Sequence, residues 1–380
     1  MNKLNVTVRS LSPSHSPASG ESVARGAEPE ENKFTVWLTA SALALAGFFA
    51  APGANAAGLT DPLERPALVS PLSSRAVLLD VVRAGSRLVA VGERGIVLLS
   101  DDEGGAWHQA SVPVSVSLTA AAFASPQVGW VVGHGGVILN TEDGGDHWKL
   151  QFDGRQAATA ISAVVGVAAA QRWLREGADK PFLAVQVDAA GIVWAVGAYG
   201  MAFRSEDRGA HWTYFGNRLA NPRDNHLYAL SIRNANILIA GEQGVLFKSS
   251  DAGASFSRVE LPYKGTLFDL VQTPKGVFVS GMNGKLFYTA DDGSTWQAVD
   301  NPLPSTLMEG IAAPDGRTLW LNQGGQFLSG IDGTASLVPS AAAPMAGGVR
   351  FIPVGGGSLV AVGFSGARKF PAADTPRNPQ

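Results

Sequence analysis

Residues 90–107 read AVGERGIVLLSDDEGGAW, and this stretch decides the fold. A first apolar strand ends at Gly92, two polar residues follow, and a second apolar strand starts after Gly95. The second strand runs into an Asp-Gly turn at 101–105, where Asp can accept backbone amides and Gly tolerates positive φ. Trp107 follows the turn and begins the return of the chain. The stretch therefore predicts short antiparallel strands joined by tight turns.

The same unit recurs along the chain. Copies start at residues 92, 133, 197, 241, 281, 322 and 363, with spacings of 41, 64, 44, 40, 41 and 41 residues. One copy cannot bury its own apolar faces, so a period near 40 residues indicates stacked propeller blades. We predict an all-β protein, a seven-bladed β-propeller of four-stranded blades over residues 57–370. The last copy lacks an evident fourth strand, and Pro66–Ser70 is free to fill that place.

One spacing is longer than the rest. The 64 residues between the second and third copies exceed 41 by 23, and the extra residues fall at 156–179. Apolar residues at helical spacing are Ile161, Val164, Val165, Ala168 and Ala169. We predict a helical insertion between blades 2 and 3 that stops at Gly177. It is either a lid on the blade edge or a docking element, since insertions on repeat folds often lie on the binding face.

The N-terminal part predicts an exported protein. Residues 1–33 are rich in Ser, Pro, Glu and Gly, which predicts a disordered leader. A secretory signal peptide is predicted at 34–56, with cleavage after Ala56. Its parts are the charge of Lys33, an apolar run at 34–51 and the small residues of Ala54-Asn55-Ala56. An uncleaved anchor and a buried helix are the alternatives. We expect a periplasmic protein with a disordered tail at 371–380.

Composition narrows the function classes. The net charge of −3 leaves no global basic field, so no nucleic-acid partner is expected. The chain contains no cysteine, which excludes disulfides, thiol catalysis, cysteine-ligated zinc and a lipid-modified cysteine. Export without disulfides is compatible with a periplasm.

The repeats resemble BNR or Asp-box repeats. The pattern AVG-x-x-G-x-(I/V)-L-x-S/T-x-D-x-G-x-x-W, over about 77–370, is similar to the photosystem II stability and assembly factor family and its non-photosynthetic bacterial relatives. The resemblance implies a non-enzymatic propeller that assists assembly or stability of a membrane protein complex, with the complex or its subunits as partner on the periplasmic side. No cofactor and no small-molecule substrate are expected. The family is thought to use an arginine patch, but no defined arginine motif matches here, so no residue is carried over.

The turn aspartates are expected to be structural. The five clear examples are Asp102, Asp143, Asp207, Asp251 and Asp291. They recur once per blade, so the ring keeps them apart, whereas calcium needs six to eight oxygen ligands together. His108, His147 and His211 lie beside the box Trp residues without metal-ligand spacing. We therefore expect no metal site.

A glycoside hydrolase or sugar-binding propeller is the alternative function, because sialidases also carry Asp boxes. That chemistry needs a carboxylic acid, a nucleophile and, for sialic acid, several arginines. No Arg-Ile-Pro motif precedes the repeats, and Arg350–Pro353 lies at the wrong end. A tight cluster of arginines and carboxylates in the central channel would favour this alternative, and an apolar or scattered polar channel would favour the scaffold.

A binding face follows from blade topology. With strands A to D in each blade, the B–C turns and the D–A connections share one face of the ring, which we call the connection face. Hairpin turns prefer Gly, Asn or Asp at their centre, yet Glu93-Arg94, Ala198-Tyr199 and Glu242-Gln243 occupy three of these turns. Because Tyr and Arg are enriched at interface centres, we predict that this face binds a protein partner. The alternative is an ordinary solvated rim. The predicted anchors are Tyr199, Arg223, His226, Tyr263, Lys264 and Arg94.

Overall fold

The computed structural model describes residues 60–340 and 342–370, so the predicted leader, signal peptide and tail lie outside the described residues. Blade 1 comprises β1 (Leu78–Ala84), β2 (Arg87–Gly92), β3 (Val97–Ser100) and β4 (His108–Gln109). Blade 2 comprises β5 (Leu118–Phe123), β6 (Gly129–Gly133), β7 (Ile138–Thr141) and β8 (Lys149–Phe152). Two helices follow, α1 (Gly154–Val165) and α2 (Val167–Glu176). Blade 3 comprises β9 (Phe182–Val187), β10 (Val193–Gly197), β11 (Ala202–Ser205) and β12 (Thr213–Tyr214).

The second half continues the same order. Blade 4 comprises β13 (Leu227–Arg233), β14 (Asn236–Gly241), β15 (Leu246–Ser249) and β16 (Ser257–Arg258). Blade 5 comprises β17 (Leu267–Gln272), β18 (Val277–Gly281), β19 (Leu286–Thr289) and β20 (Gln297–Ala298). Blade 6 comprises β21 (Leu307–Ala312), β22 (Arg317–Asn322), β23 (Phe327–Ile331) and β24 (Leu337–Pro339). Blade 7 comprises β25 (Gly348–Pro353), β26 (Leu359–Gly363) and β27 (Gly366–Phe370).

These sheets form the predicted seven-bladed propeller. Every sheet is antiparallel, and its strand order follows the chain. The first strands of consecutive blades contact each other around the ring, and β25 closes it against β1. Apolar clusters lie between neighbouring blades, as where Val89 and Leu99 of blade 1 pack against Val131 and Leu139 of blade 2. Because each sheet is covered on both faces, the second strands are almost entirely apolar.

The closure of the ring differs from the prediction. Blade 7 has three strands in the described residues, and Pro66–Ser70 does not supply a fourth. The Ala67 amide instead donates to the Val112 carbonyl at 3.0 Å, which places the segment against blade 1. Prolines at both ends, Pro66 and Pro71, lack the N–H that a strand ladder requires. The chain ends still meet, since the 3₁₀ turn Ser73–Arg75 contacts β27.

The helical insertion lies between blades 2 and 3 as predicted, but it is a hairpin of two helices. Gly166 separates α1 from α2 and adopts a φ of 86°, which reverses the chain. Asp153 caps α1 by accepting the amides of Arg155 and Gln156, and the Gln156 side chain accepts the Asp153 amide in return. The buried face of α1 includes Ile161.

The Asp-box turns share one hydrogen-bond pattern. In blade 3 the Ser205 hydroxyl donates to the Asp207 carboxylate at 2.9 Å and accepts the Gly209 amide at 2.7 Å. The carboxylate also accepts the His211 amide at 2.8 Å. Equivalent bonds surround Asp102, Asp143, Asp251 and Asp291. Hydrogen bonds from His211 and Ser205 lower the pKa of Asp207 to about 2.

Asp207→Asn is expected to lower stability in a pH-dependent way. A carboxyl with a folded pKa below its unfolded value stabilises the fold above that unfolded value, near 3.8, and this contribution is lost as the pH falls toward 2. The difference in urea midpoint between wild type and variant should therefore be full at about pH 6 and should close toward about pH 2. Glu206→Gln, on the exposed neighbour, is the control. A difference that stays constant with pH would contradict this role.

Candidate functional site

One hydrogen bond repeats in all seven blades and builds the connection face. The amide of the first residue in each B–C turn donates to the carbonyl that precedes strand A of the same blade. The pairs are Glu93–Val77, His134–Ser117, Ala198–Pro181, Glu242–His226, Met282–Thr266, Gln323–Thr306 and Phe364–Gly347. The B–C turns therefore lie directly against the D–A connections, as the blade topology predicted.

The centres of these turns carry an unusual backbone conformation. Arg94, Tyr199 and Gln243 have φ values of 53°, 55° and 54°, in the left-handed region. This conformation costs a non-glycine residue roughly 1–2 kcal/mol. Asn283, at the same position in blade 5, tolerates it better because Asn is suited to left-handed turns. The Asp-box turns hold non-glycine residues in the same region, as at Glu103 and Arg208, so the conformation is a property of the tight turns on both faces.

Tyr199 is the centre of a cluster of cationic and aromatic side chains. Its ring lies edge-on to the His226 imidazole, with 4.7 Å between the ring centroids. The Arg172 guanidinium carbon lies 4.4 Å from the Tyr199 ring centroid, and the Lys180 Nζ lies 5.5 Å from it. Both distances are within the range of cation–π attraction. The insertion therefore folds back over the B–C turn of blade 3.

Two adjoining cavities open beside this cluster, and we call them together the blade 3–4 cleft. The first, of about 470 Å³, is lined by Tyr199, Gly200, Tyr214, Gly216, Asn217, Leu219, Ala220, Asn221, Pro222 and Asp224. The second, of about 510 Å³, is lined by Pro222, Arg223, Asn225, Gln243, Arg258 and Lys264. Pro222 lines both cavities, so they are neighbours at the connection between blades 3 and 4.

The second cavity is positively charged. Its wall contains Arg223, Arg258 and Lys264 and no carboxylate. Glu260 pairs with Arg258 at 3.3 Å and with Lys264 at 2.8 Å. The Arg223 Nη1 donates to the Gln243 side chain at 2.9 Å, so its other donors remain available to a ligand. The cavity therefore suits a carboxylate or another anionic group.

The first cavity is mainly uncharged. Burial, with a smaller effect from Asp224, raises the pKa of Tyr214 to about 12. The Tyr214 phenol is therefore neutral at physiological pH and can donate a hydrogen bond. Leu219 and Pro222 add apolar wall to this cavity. It suits an uncharged side chain or a backbone segment.

The structure brings together most of the predicted anchors. Tyr199, Arg223 and Lys264 line the cleft, and His226 packs on Tyr199. Tyr263 precedes Lys264, and its hydroxyl donates to the Met282 carbonyl at 3.1 Å. Arg94 is separate: its closest charged partner is Glu93 at 3.9 Å, and no contact joins it to the cleft in the part of the chain that the structure describes.

Three residues of the site were missed by the sequence reasoning. Arg172, Lys180 and Arg258 were not predicted as site residues. Arg172 and Lys180 reach Tyr199 only because the helix hairpin folds back on blade 3. Arg258 gives no local signal, since it lies on an ordinary outer strand.

A second polar cluster lies among the first strands. Arg350 of blade 7 lies 3.9 Å from Asp80 of blade 1, 3.9 Å from Asp269 of blade 5 and 3.6 Å from Glu309 of blade 6. The three carboxyl side chains are only 11–14% exposed, and Arg350 is 24% exposed. We call these four residues the channel cluster.

The channel cluster supplies only part of what a glycosidase needs. It offers one arginine rather than several. One oxygen of Asp80 accepts the Ala121 amide at 2.8 Å, and one oxygen of Asp269 accepts the Gly310 amide at 2.8 Å. Both amides belong to strand A of the next blade, so the carboxylates join adjacent blades.

The described residues contain neither a metal-binding cluster nor a membrane-spanning helix. No group of three His, Asp or Glu side chains there is arranged to hold a metal ion. None of the helices within residues 60–340 and 342–370 is long and apolar enough to cross a bilayer.

The fold and the repeated turns define an Asp-box, or BNR-type, seven-bladed β-propeller. Within that class, the sequence model of the photosynthesis system II assembly factor YCF48 matches residues 99–194. The photosystem II assembly lipoprotein Ycf48 of a Synechococcus strain is 24% identical over 171 residues, 45% of this chain and 45% of that protein. The match therefore spans about half the length of this curated relative. The family resemblance predicted from the repeats is confirmed.

Solved structures show the same fold. Ycf48 from Cyanidioschyzon merolae superposes with a TM-score of 0.60 at 16% identity, covering 81% of this chain and 99% of that one. A structure of Ycf48 bound to D1 peptide superposes with a TM-score of 0.60 at 14% identity, covering 80% of this chain and 95% of that one.

Proposed function

We propose that this propeller is a non-enzymatic scaffold, exported to the periplasm, that assists the assembly or stability of a membrane protein complex. It does so by binding a peptide segment of one subunit in the blade 3–4 cleft. The observation that carries this proposal is the pair of neighbouring cavities on the connection face, one lined by Tyr199 and the other by three cationic side chains. The names of the similar proteins, an assembly factor and a propeller with a bound peptide, support it.

The two cavities divide the recognition of a peptide between them. Arg223, Arg258 and Lys264 pair with a carboxylate of the segment in the second cavity. The uncharged first cavity takes the neighbouring part of the segment against Tyr199 and Tyr214. Pro222, which lines both cavities, has a fixed φ that limits the ordering entropy lost on binding.

The double substitution Arg223→Glu with Lys264→Glu is expected to lower recovery of the membrane-protein partner by at least about tenfold, because it reverses the charge of the second cavity. The measurement is an affinity pull-down from gently solubilised envelope, quantified by mass spectrometry. Tyr199→Asn, which places the blade 5 residue type in the blade 3 turn, should weaken recovery without straining the backbone.

Arg94→Glu is the matched control, because it reverses a charge at the equivalent turn of blade 1, away from the cleft. Its recovery of the partner should equal that of the wild type. Recovery that is unchanged in the double variant would contradict binding at the cleft. Equal losses in Arg94→Glu and in the double variant would point to non-specific charge effects instead.

A glycoside hydrolase remains the second candidate, and the channel cluster is the observation that favours it. Burial raises the pKa of Glu309 well above its ordinary value, as a general acid would need. Turnover of aryl glycosides that is lost in Glu309→Gln, with the fold retained, would support this candidate. Absence of turnover across glycoside substrates in the wild type would contradict it.

A further inference from the structure

The tip of the helix hairpin is an uncharged, exposed surface. Residues 157–170 contain no charged side chain. The inner residues of this stretch, including Ala157, Ile161 and Ala170, are buried in the apolar cluster of blades 2 and 3. The seven residues 163–169 are all apolar or glycine, and all seven are exposed. The core therefore does not account for the apolar character of the tip.

The exposure of the tip is large for its size. Val164, Val165 and Val167 are 46%, 37% and 65% exposed, and Leu174 on α2 is 44% exposed. These side chains are not part of the buried core, since each is more than a third exposed. A contiguous exposed apolar patch of this kind marks an interaction surface.

Two arginines follow the apolar tip on α2. Arg172 lies six residues after Gly166, about 9 Å along the helix axis, and Arg175 lies nine residues after it, about 13 Å. Glu176 is the only acidic residue of α2, and it pairs with Arg172. Arg175 therefore carries the exposed positive charge behind the apolar end, since Arg172 is held by Glu176 and by the Tyr199 ring.

We infer that the hairpin tip docks on the surface of a bilayer that contains anionic phospholipids. Amphipathic elements bury their apolar face about 5–10 Å into the boundary between headgroups and acyl chains. At that depth the valines of the tip enter the acyl region, and Arg175 reaches the level of the phosphates. A second copy of the chain fits less well, because a stable dimer buries about 800 Å² on each partner, more than this small tip supplies.

The position of the hairpin relates this surface to the cleft. Arg172 contacts the Tyr199 ring and lies 3.9 Å from Asp224, which lines the first cavity. Docking of the tip therefore brings the cleft close to the bilayer, where segments of membrane proteins emerge. The inference itself does not depend on the proposed peptide binding, because it rests on the tip alone.

The test is cosedimentation with vesicles. The chain from Ala57 is used, because the described blades all lie within 60–370 and the apolar run at 34–51 would itself bind lipid. We expect binding to vesicles of phosphatidylcholine with phosphatidylglycerol. The triple variant Val164→Ser, Val165→Ser, Val167→Ser should bind at least about tenfold more weakly, with unchanged thermal unfolding. Leu174→Gln provides an independent variant with a smaller loss.

Val69→Ser with Leu72→Ser is the matched control, because these side chains are 71% and 62% exposed on the N-terminal segment, outside the hairpin. This control should bind vesicles like the wild type. The inference is overturned if the wild type does not bind, if the hairpin variants bind equally well, or if vesicles of phosphatidylcholine alone bind as strongly. A dimer that the hairpin substitutions abolish, without vesicle binding, would assign the tip to a second copy.

Discussion

Arg350→Met is expected to destabilise the propeller by about 3 kcal/mol at neutral pH, because it leaves three nearly buried carboxyl groups without their cation. Methionine fills most of the space of the arginine stem, so the loss reports on charge rather than on a cavity. The effect should be large because Arg350 faces carboxyl groups from three blades and sits on the blade that closes the ring.

The loss of stability in Arg350→Met should depend on pH, and the pKa shifts of the channel cluster give the direction of that dependence. Burial raises the pKa of Asp80, Asp269 and Glu309, and the positive charge of Arg350 opposes that rise. A carboxyl with a raised folded pKa stabilises the fold below its unfolded pKa, and this contribution is lost as the pH rises through the folded pKa. Removing Arg350 raises the folded pKa values further. The deficit of the variant should therefore grow from about pH 4 to about pH 7.

Urea unfolding of wild type and variant at several pH values measures this deficit. Lys369→Met is the control, because it removes an exposed positive charge from the same blade. Adding Asp80→Asn, Asp269→Asn and Glu309→Gln to Arg350→Met should recover much of the lost stability at neutral pH. A deficit that is independent of pH, or no recovery in the combined variant, would contradict the electrostatic explanation.

Gly133→Ala is expected to destabilise the propeller by about 3 kcal/mol through steric overlap. The backbone at Gly133 is extended, with a φ of −177°, so alanine meets no conformational barrier there. A Cβ atom would however overlap the Ser117 carbonyl oxygen and lie 2.9 Å from the Leu118 Cα. Both neighbours are backbone atoms of the same blade, so strand A would have to move away from strand B.

Gly324→Ala in the corresponding turn of blade 6 is the matched control. Its added Cβ would meet only side-chain oxygens, the closest being the Asn322 Oδ1 at 3.3 Å. We expect a loss below about 1 kcal/mol for this control, measured by urea unfolding in the same buffer. Equal losses in both variants would show that close approach of the backbone is not the reason for glycine at position 133.

The architecture could be predicted from the sequence because its signals are local. The Gly-x-x-Gly turns need either close backbone approach, as at Gly133, or a left-handed residue, as at Gly95. The Asp boxes satisfy their own turn amides within five residues, as at Ser205 and Asp207. The break at Gly166 was not predicted, and the placement of Pro66–Ser70 in blade 7 was wrong, because contacts with blade 1 decide the path of that segment.

The sequence by itself determined the number of blades and their strand order, because both follow from the repeated turns. It also determined the face on which Tyr199, Arg223 and Lys264 lie, because successive turns of an up-and-down sheet alternate between its two ends. Only the tertiary structure decided which distant residues meet. Arg350 joins Asp80 and Glu309 because the ring closes blade 7 on blade 1, and Arg172 reaches Tyr199 because the hairpin folds back. Such contacts depend on the geometry of the closed ring, so no local pattern in the chain records them.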